Sequence, residues 1–241
     1  MTALFDRSFP PSSEVPAAAS AEPSARAETL YDASFWKAFL ANSLVTVGVA
    51  VLYRYADFIT LLGGTELHLG WIVGIGMLGS LSMRLFVGSW IDRYGPRLVW
   101  LCALVLLACV CFGHLLVVRF PDARIQQPAV VAYCTGLRIA MWCAIAGIYA
   151  SSMIFISSRV PVIRMAELLG MLGTSGFFGV IVGVWVSDLL LSGVAHSAAA
   201  IQRMFLAAGC LSLAAFASAY WATAGYVYPV PRRRPPLWGL I

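Results

Sequence analysis

The chain has 241 residues, of which 61% are hydrophobic and 11% charged, with mean hydropathy +0.84 and a formal net charge of +5 at pH 7. Soluble domains carry about a quarter of their residues as charges, so an ordinary soluble enzyme is excluded. The basic residues stand singly near the ends of apolar runs rather than on one face, which argues against nucleic acid and for the positive-inside bias of a membrane protein.

A crossing helix needs roughly 20 apolar residues, so the length allows about six or seven spans and no separate soluble domain. Cys102, Cys109, Cys111, Cys134, Cys143 and Cys210 all lie inside apolar runs, with no Cys-x-x-Cys pair and no histidine at ligand spacing. They read as small packing residues, and neither a metal nor a cofactor is expected.

In chain order, residues 1–34 are rich in Pro, Ala, Ser and Glu, with Pro10, Pro11, Pro16 and Pro23 breaking any helical period, and read as a disordered tail. No apolar core of signal-peptide length follows Arg7, so no cleavage is expected. The first span runs from about Phe35 to Leu62. At 100° per residue Asn42, Thr46, Tyr53, Asp57 and Thr60 share one face, predicting a polar stripe that looks onto something wet. Arg54 lies at the edge of that stripe, close enough in sequence to pair with Asp57. Gly63 to Gly70 then turns the chain.

The second span, about Leu69 to Trp90, carries Gly70, Gly74, Gly76 and Gly79, small residues that let helices approach closely in lipid. Arg84, Gly88 and Asp92 follow one turn apart on one face. Gly88 to Arg97 reads as a short basic turn, too polar for lipid, before a third span over about Leu98 to Val118 that holds His114. The fourth span, about Ala129 to Ser157, has a second polar face made of Thr135, Arg138, Trp142 and Tyr149. The fifth, about Met165 to Ser192, repeats the glycine theme with Gly170, Gly173, Gly176, Gly179 and Gly183, and the sixth, about Gln202 to Tyr226, is Ala-rich. Residues 227–241 form a basic, proline-broken tail or linker.

Placing the Gly88 to Arg97 turn in the cytoplasm collects most Arg and Lys on that side, including Arg159, Arg164 and Arg232 to Arg234, against Arg119, Arg124 and Arg203 opposite. Both termini are then cytoplasmic, in a multi-pass protein of the cell (inner) membrane.

The spacing Gly88, Asp92, Arg93, Gly95, Arg97, falling between the second and third spans, resembles the loop motif of major facilitator superfamily transporters. The resemblance covers roughly Phe35 to Arg234 and implies an all-α amino-terminal half-bundle of six helices, built as two inverted three-helix repeats. It implies a secondary transporter that moves a small solute by alternating access. It also implies a gate in which Gly88 permits a contact with a helix of the second half, Asp92 supplies charge, and Arg93 and Arg97 tie the loop to its surroundings and to lipid phosphates. Departures matter too. Arg138 is followed by Ile139 and Ala140 instead of Gln-Gly, and Gly179 to Gly183 contains no proline, so a drug–proton antiporter is disfavoured.

Charge deep in a span marks a functional candidate by default. Arg138 lies about nine residues into its span, near mid-depth. As a permanent cation it favours a carboxylate or phosphate on the solute, and its structural alternative is an ion pair with Asp57 or the other half. The candidate substrate-binding set is Arg138, Asp57, Arg54, Asn42, Tyr53, Trp142 and Tyr149. Arg84 reads as snorkelling to the cytoplasmic interface. His114 and Asp188 stay outside the set, because a lone histidine in an apolar span more often serves as hydrogen-bonded structure. Glu167 suits the positive end of the fifth helix.

Two other classes compete. Gly173, Thr174, Ser175 and Gly176 match the Gly-x-Ser-Gly of rhomboid-type intramembrane proteases, but the sixth span has no histidine to act as base, and small-residue packing explains the tetrapeptide better. A six-helix remnant or accessory protein without transport is the other, opposed by two polar faces that lipid cannot satisfy. Those faces also imply a partner: a second six-helix half, as a separate chain, a missing segment or a homodimer. The basic PRRRPP stretch stands where the family has its linker between halves, so a truncated or split transporter is expected, one that does not work as a monomer.

Overall fold

A computed structural model describes residues 31–120, 123–192 and 197–226, and these are helical apart from short connections. The two tails expected at residues 1–30 and 227–241 lie outside the described residues. The first helix, α1, spans Ala33–Val51 and starts two residues earlier than the apolar run, because the Asp32 carboxylate accepts the Phe35 N–H at 2.8 Å and caps it. A single 3₁₀ turn, Leu52–Arg54, follows, then α2, Tyr55–Leu61. At that turn the Tyr55 N–H bonds the Leu52 carbonyl, and Ser187 Oγ donates to the Val51 carbonyl at 3.2 Å, giving that carbonyl a partner from another helix.

The turn after α2 is shorter than Gly63 to Gly70, because α3 already begins at Glu66. Gly63 (φ 74°) makes it, and the loop before the fourth span closes over it through Ile125 N–H to the Leu62 carbonyl and Gln126 Nε2 to the Gly63 carbonyl.

Helix α3, Glu66–Arg119, has 54 residues and would be roughly 80 Å long if straight, far more than a bilayer core. It folds back on itself at Gly95, whose φ of 80° and ψ of 154° leave helical space in a region that L side chains rarely enter. Pro96, lacking an N–H, then opens the second arm without loss of a ladder bond. The hairpin shows in the packing: Met83 and Leu106 line one groove, though about 34 Å would separate them on an unbroken helix. The ten-residue basic turn expected at Gly88 to Arg97 is thus corrected to a break one residue wide, with helix running to Tyr94.

Helix α4, Pro128–Ser157, begins with proline at its first position. A 3₁₀ turn at Val162–Arg164 leads into α5, Met165–Leu191, and α6, Ala198–Ala222, is capped by Ser197 Oγ accepting the Ala200 N–H. Among the described residues, five helical stretches are long and apolar enough to cross a membrane, the two-armed α3 being one of them.

Lipid supplies no hydrophobic drive between helices, so contact depends on how closely backbones can approach. A β-carbon on Gly79 would stand 2.4 Å from the Ile139 carbonyl oxygen, and one on Gly183 would stand 2.6 Å from that of Val47. These glycines therefore bring the first arm onto α4 and α5 onto α1. Gly76 meets Arg138 and Gly179 meets Thr46 in the same two seams, whereas Gly70, Gly74, Gly170, Gly173 and Gly176 face open space. Only part of each glycine stripe makes the expected contact. The pairs rise together in both seams, 76 with 138 and 79 with 139, 179 with 46 and 183 with 50, so each pair of helices runs parallel.

Helix α6 runs antiparallel to α1, with Ala208 beside Gly48 and Ser218 Oγ bonded to the Lys37 carbonyl. The second arm runs antiparallel to α4, with Ala103 beside Gly147 and Leu137 beside Gly113.

Candidate functional site

The seam between α1 and α4 carries the polar residues that the sequence set apart. Asn42 Nδ2 donates to Ser152 Oγ at 3.2 Å, and Thr46 Oγ1 and the Tyr149 hydroxyl share a bond of 2.8 Å. Numbers rise along α1 as they fall along α4, so the helices are antiparallel, and the next level up the seam brings Tyr55 to Arg138. Asn42, Thr46 and Ser152 are buried and Tyr149 is half-buried, and their hydroxyls and the Asn42 amide nitrogen are bonded within the seam, while Asn42 Oδ1 has no partner.

Burial changes along the predicted stripe: Asn42 and Thr46 are buried, whereas Tyr53, in the Leu52–Arg54 3₁₀ turn, is 61% exposed, and Tyr55, off the stripe, comes inward at 2%. Thr60 is exposed and bonds only its own helix, through the Ala56 carbonyl.

Arg138 is buried, 8% exposed, with its guanidinium 4.2 Å above the Tyr55 ring centre and 6.0 Å from that of Trp142. Its Nη1 meets the Met141 sulfur at 3.5 Å, its Nε has no hydrogen-bond partner, and the indole N–H of Trp142 has none either. No carboxylate lies within 4 Å of it among the described residues. The ion pair with Asp57 is therefore not formed. Asp57 is held instead by Arg54 Nε at 2.7 Å, and Arg54 Nη1 reaches Asp188 at 3.1 Å, tying the 3₁₀ turn to the end of α5. The aromatic faces supply the cation–π attraction that helps hold the cation in place of a countercharge.

Sequence reasoning missed Tyr55, because a uniform 100° wheel puts it off the stripe. It also missed Ser152 and Ser187, whose hydroxyls bond across helices to α1.

The motif residues sit around the Gly95 hairpin. Arg84, Gly88 and Asp92 are exposed on one face, and a β-carbon on Gly88 would meet nothing within 4 Å, so this face is uncovered. Arg93 lies over the Tyr94 ring, and Arg97 over that of Tyr220 on α6, each at 5.4 Å. Arg97 thereby ties the hairpin to α6.

The protease-like tetrapeptide carries no nucleophile. Ser175 is buried and its hydroxyl donates to the Leu172 carbonyl at 2.5 Å, with no histidine among its described partners; His196 lies outside the described residues. No cluster of three or more potential metal ligands occurs among the described residues.

A family model described as Major Facilitator Superfamily matches residues 12–240. No curated protein and no solved structure matches the chain.

Proposed function

The chain belongs to the major facilitator superfamily and is a multi-pass membrane transporter of that type, and we propose that it moves a small anionic solute by alternating access, with Arg138 as the anchor. One observation carries the reading. Arg138 is a permanent cation buried where α4 meets α2 and the first arm of α3, with no carboxylate in reach among the described residues, an unpartnered Nε, and an unpartnered N–H on Trp142, whose ring lies 6.0 Å from the guanidinium. Two desolvated donors without an acceptor cost free energy unless a ligand satisfies them. A solute carboxylate or phosphate matches the planar fork of Arg138. Trp142, Tyr149 and Tyr53 would line its path, and the Arg54–Asp57–Asp188 group would stand at the outer end.

Counting the arms of α3 separately gives six crossings. The packing supports two inverted repeats, since α1 holds α5 parallel and α6 antiparallel just as α4 holds the first arm parallel and the second antiparallel. The orientation consistent with the arginine bias puts the Gly95 hairpin and both termini in the cytoplasm of the cell membrane. Rocking needs two bundles around a central site, so a second six-helix unit would complete the path and cover the face of Gly88 and Asp92. A non-transporting remnant fits less well, because it leaves Arg138 without a purpose for its cost.

The test is solid-supported-membrane recording of the reconstituted chain, alone and with a second six-helix unit, over monocarboxylates, dicarboxylates and inorganic phosphate. Arg138→Ala should abolish the signal, and Arg138→Lys should restore it only in part, since a point charge does not reproduce the fork. Wild-type kinetics in Arg138→Ala would remove the residue from the site.

A further inference from the structure

We propose that the groove between the second arm of α3 and α6 is a binding site for a membrane phospholipid with a net negative headgroup. The groove holds about 480 Å³, and its polar lining is Arg119 from the second arm with Gln202 and Arg203 from α6. The two helices run antiparallel, since Phe112 lies against Gly209 while Arg119 shares the groove with Gln202 and Arg203. Both arginines therefore stand at one end, the end of the bundle away from the Gly95 hairpin. Phe112, Leu116 and Leu206 line the groove inward from there, Phe112 about 10 Å deeper along its helix than Arg119. Charge and apolar surface are thus segregated as they are in a phospholipid, and no carboxylate lines the groove among the described residues.

The arginines call for a countercharge. Neither makes an ion pair among the described residues, and the Arg203 Nε bonds only weakly, at 3.4 Å, to the Ala199 carbonyl of its own helix. The arginine bias does not account for them either, because they stand on the side with few basic residues. Their planar forks match phosphate oxygens, and the Gln202 amide can donate beside them. A zwitterionic headgroup brings its own cation to the same place and gains less.

The walls select a lipid over an anion from water. Leu116 is 55% exposed and Leu206 49%, so an acyl chain laid along them covers apolar surface that a free anion leaves bare. A β-carbon on Gly209 would stand 2.8 Å from Phe112 Cε1, so the Phe112 ring takes the space of a side chain at 209 instead of filling the groove. At the hairpin end the same two helices are joined by Arg97 over the Tyr220 ring, and the lipid joins them at the other end. An arginine near an anionic headgroup strengthens binding roughly fivefold, and two act on one phosphate here.

The experiment reconstitutes the full chain in phosphatidylcholine liposomes holding a trace of phosphatidylglycerol with a diazirine on its acyl chain, or of phosphatidylcholine with the same chain. Crosslinked positions are mapped by peptide mass spectrometry, at a lipid fraction well below saturation so that yield follows affinity. Adducts on Phe112, Leu116 and Leu206 should be at least roughly fivefold more abundant with phosphatidylglycerol. Arg203→Gln should lower that yield roughly fivefold, and Arg119→Gln with Arg203→Gln should bring it down to the phosphatidylcholine level. Leu206→Trp, which keeps both arginines and fills the apolar end, should lower it as well. Equal yields from the two lipids in the wild-type chain overturn the proposal, and so does an unchanged phosphatidylglycerol yield in the arginine variants. Loss of labelling on adding millimolar inorganic phosphate would assign the groove to an anion from water and overturn the lipid. If the double variant does not fold, Arg203→Gln alone, at an exposed position, carries the test.

Discussion

Replacing Gly79 with alanine puts a methyl group where the backbone of another helix already stands. On the present backbone the new carbon would lie 2.4 Å from the Ile139 carbonyl oxygen and 3.0 Å from Ile139 Cγ2. The first arm of α3 and α4 must therefore separate by about 1 Å to reach ordinary contact, because a helix carbonyl cannot swing aside as a side-chain tip can. Overpacking of this kind costs about 1–3 kcal/mol. The separation also stretches the 3.1 Å bond from Cys143 Sγ to the Gly79 carbonyl. Gly74→Ala is the internal control. Its β-carbon would meet nothing within 4 Å, and alanine is favoured over glycine in a helix by about 1 kcal/mol. Unfolding in bicelles by denaturant titration should therefore separate the two variants by roughly 2–4 kcal/mol. Because Arg138 Cγ packs on Gly76, one turn from Gly79, solute binding should weaken in Gly79→Ala as well. A Gly79→Ala chain as stable as Gly74→Ala would refute the close approach on which the seam depends.

Tyr149→Phe should cost about 1 kcal/mol, and the double variant little more than Thr46→Val alone, since both remove the bond between the two hydroxyls while Thr46→Val also removes the bond from Thr46 Oγ1 to the Asn42 carbonyl. Fully additive losses in the same unfolding assay would break that pairing. Asp92→Asn should slow solute flux severalfold while leaving expression unchanged, because the carboxylate is exposed on an uncovered face and makes no ion pair among the described residues. Wild-type flux would take it out of the gate. A membrane-impermeant thiol reagent should reach a cysteine placed at Ser89, in a background without exposed native cysteines, from the cytoplasmic side only. Labelling from the other side would reverse the topology and the sidedness of Arg138 with it.

The existence of the helices was legible because in a bilayer every backbone group must be satisfied within its own segment, so each span is a local property of the chain. Apolar length placed α4 and α5 to within a residue or so of their observed ends, and the basic Gly88 to Arg97 segment bracketed the place where a 54-residue helix folds back, though not its one-residue width. The cost of charge in lipid singled out Arg138 from composition and depth alone, and the gate spacing pointed to the family that the match over residues 12–240 shows.

Partners are not local, and there the tertiary structure decided. A helical wheel shows which residues share a face and not which part of that face a neighbour covers: Asn42 and Thr46 are buried, Tyr53 is 61% exposed, and Tyr55, off the stripe, is 2% exposed. Glycine stripes looked alike in sequence, yet only Gly76, Gly79, Gly179 and Gly183 meet a neighbouring helix within them, because helix register rather than residue type chooses which small residue faces a backbone. The same register left Arg138 above an aromatic ring, while the Arg54–Asp57 pair, three residues apart, was legible in the sequence. Composition determined that a cation would be buried in this membrane protein. Only the packing of α1, α2 and α4 determined that the ring of Tyr55, instead of a carboxylate, would stand next to it.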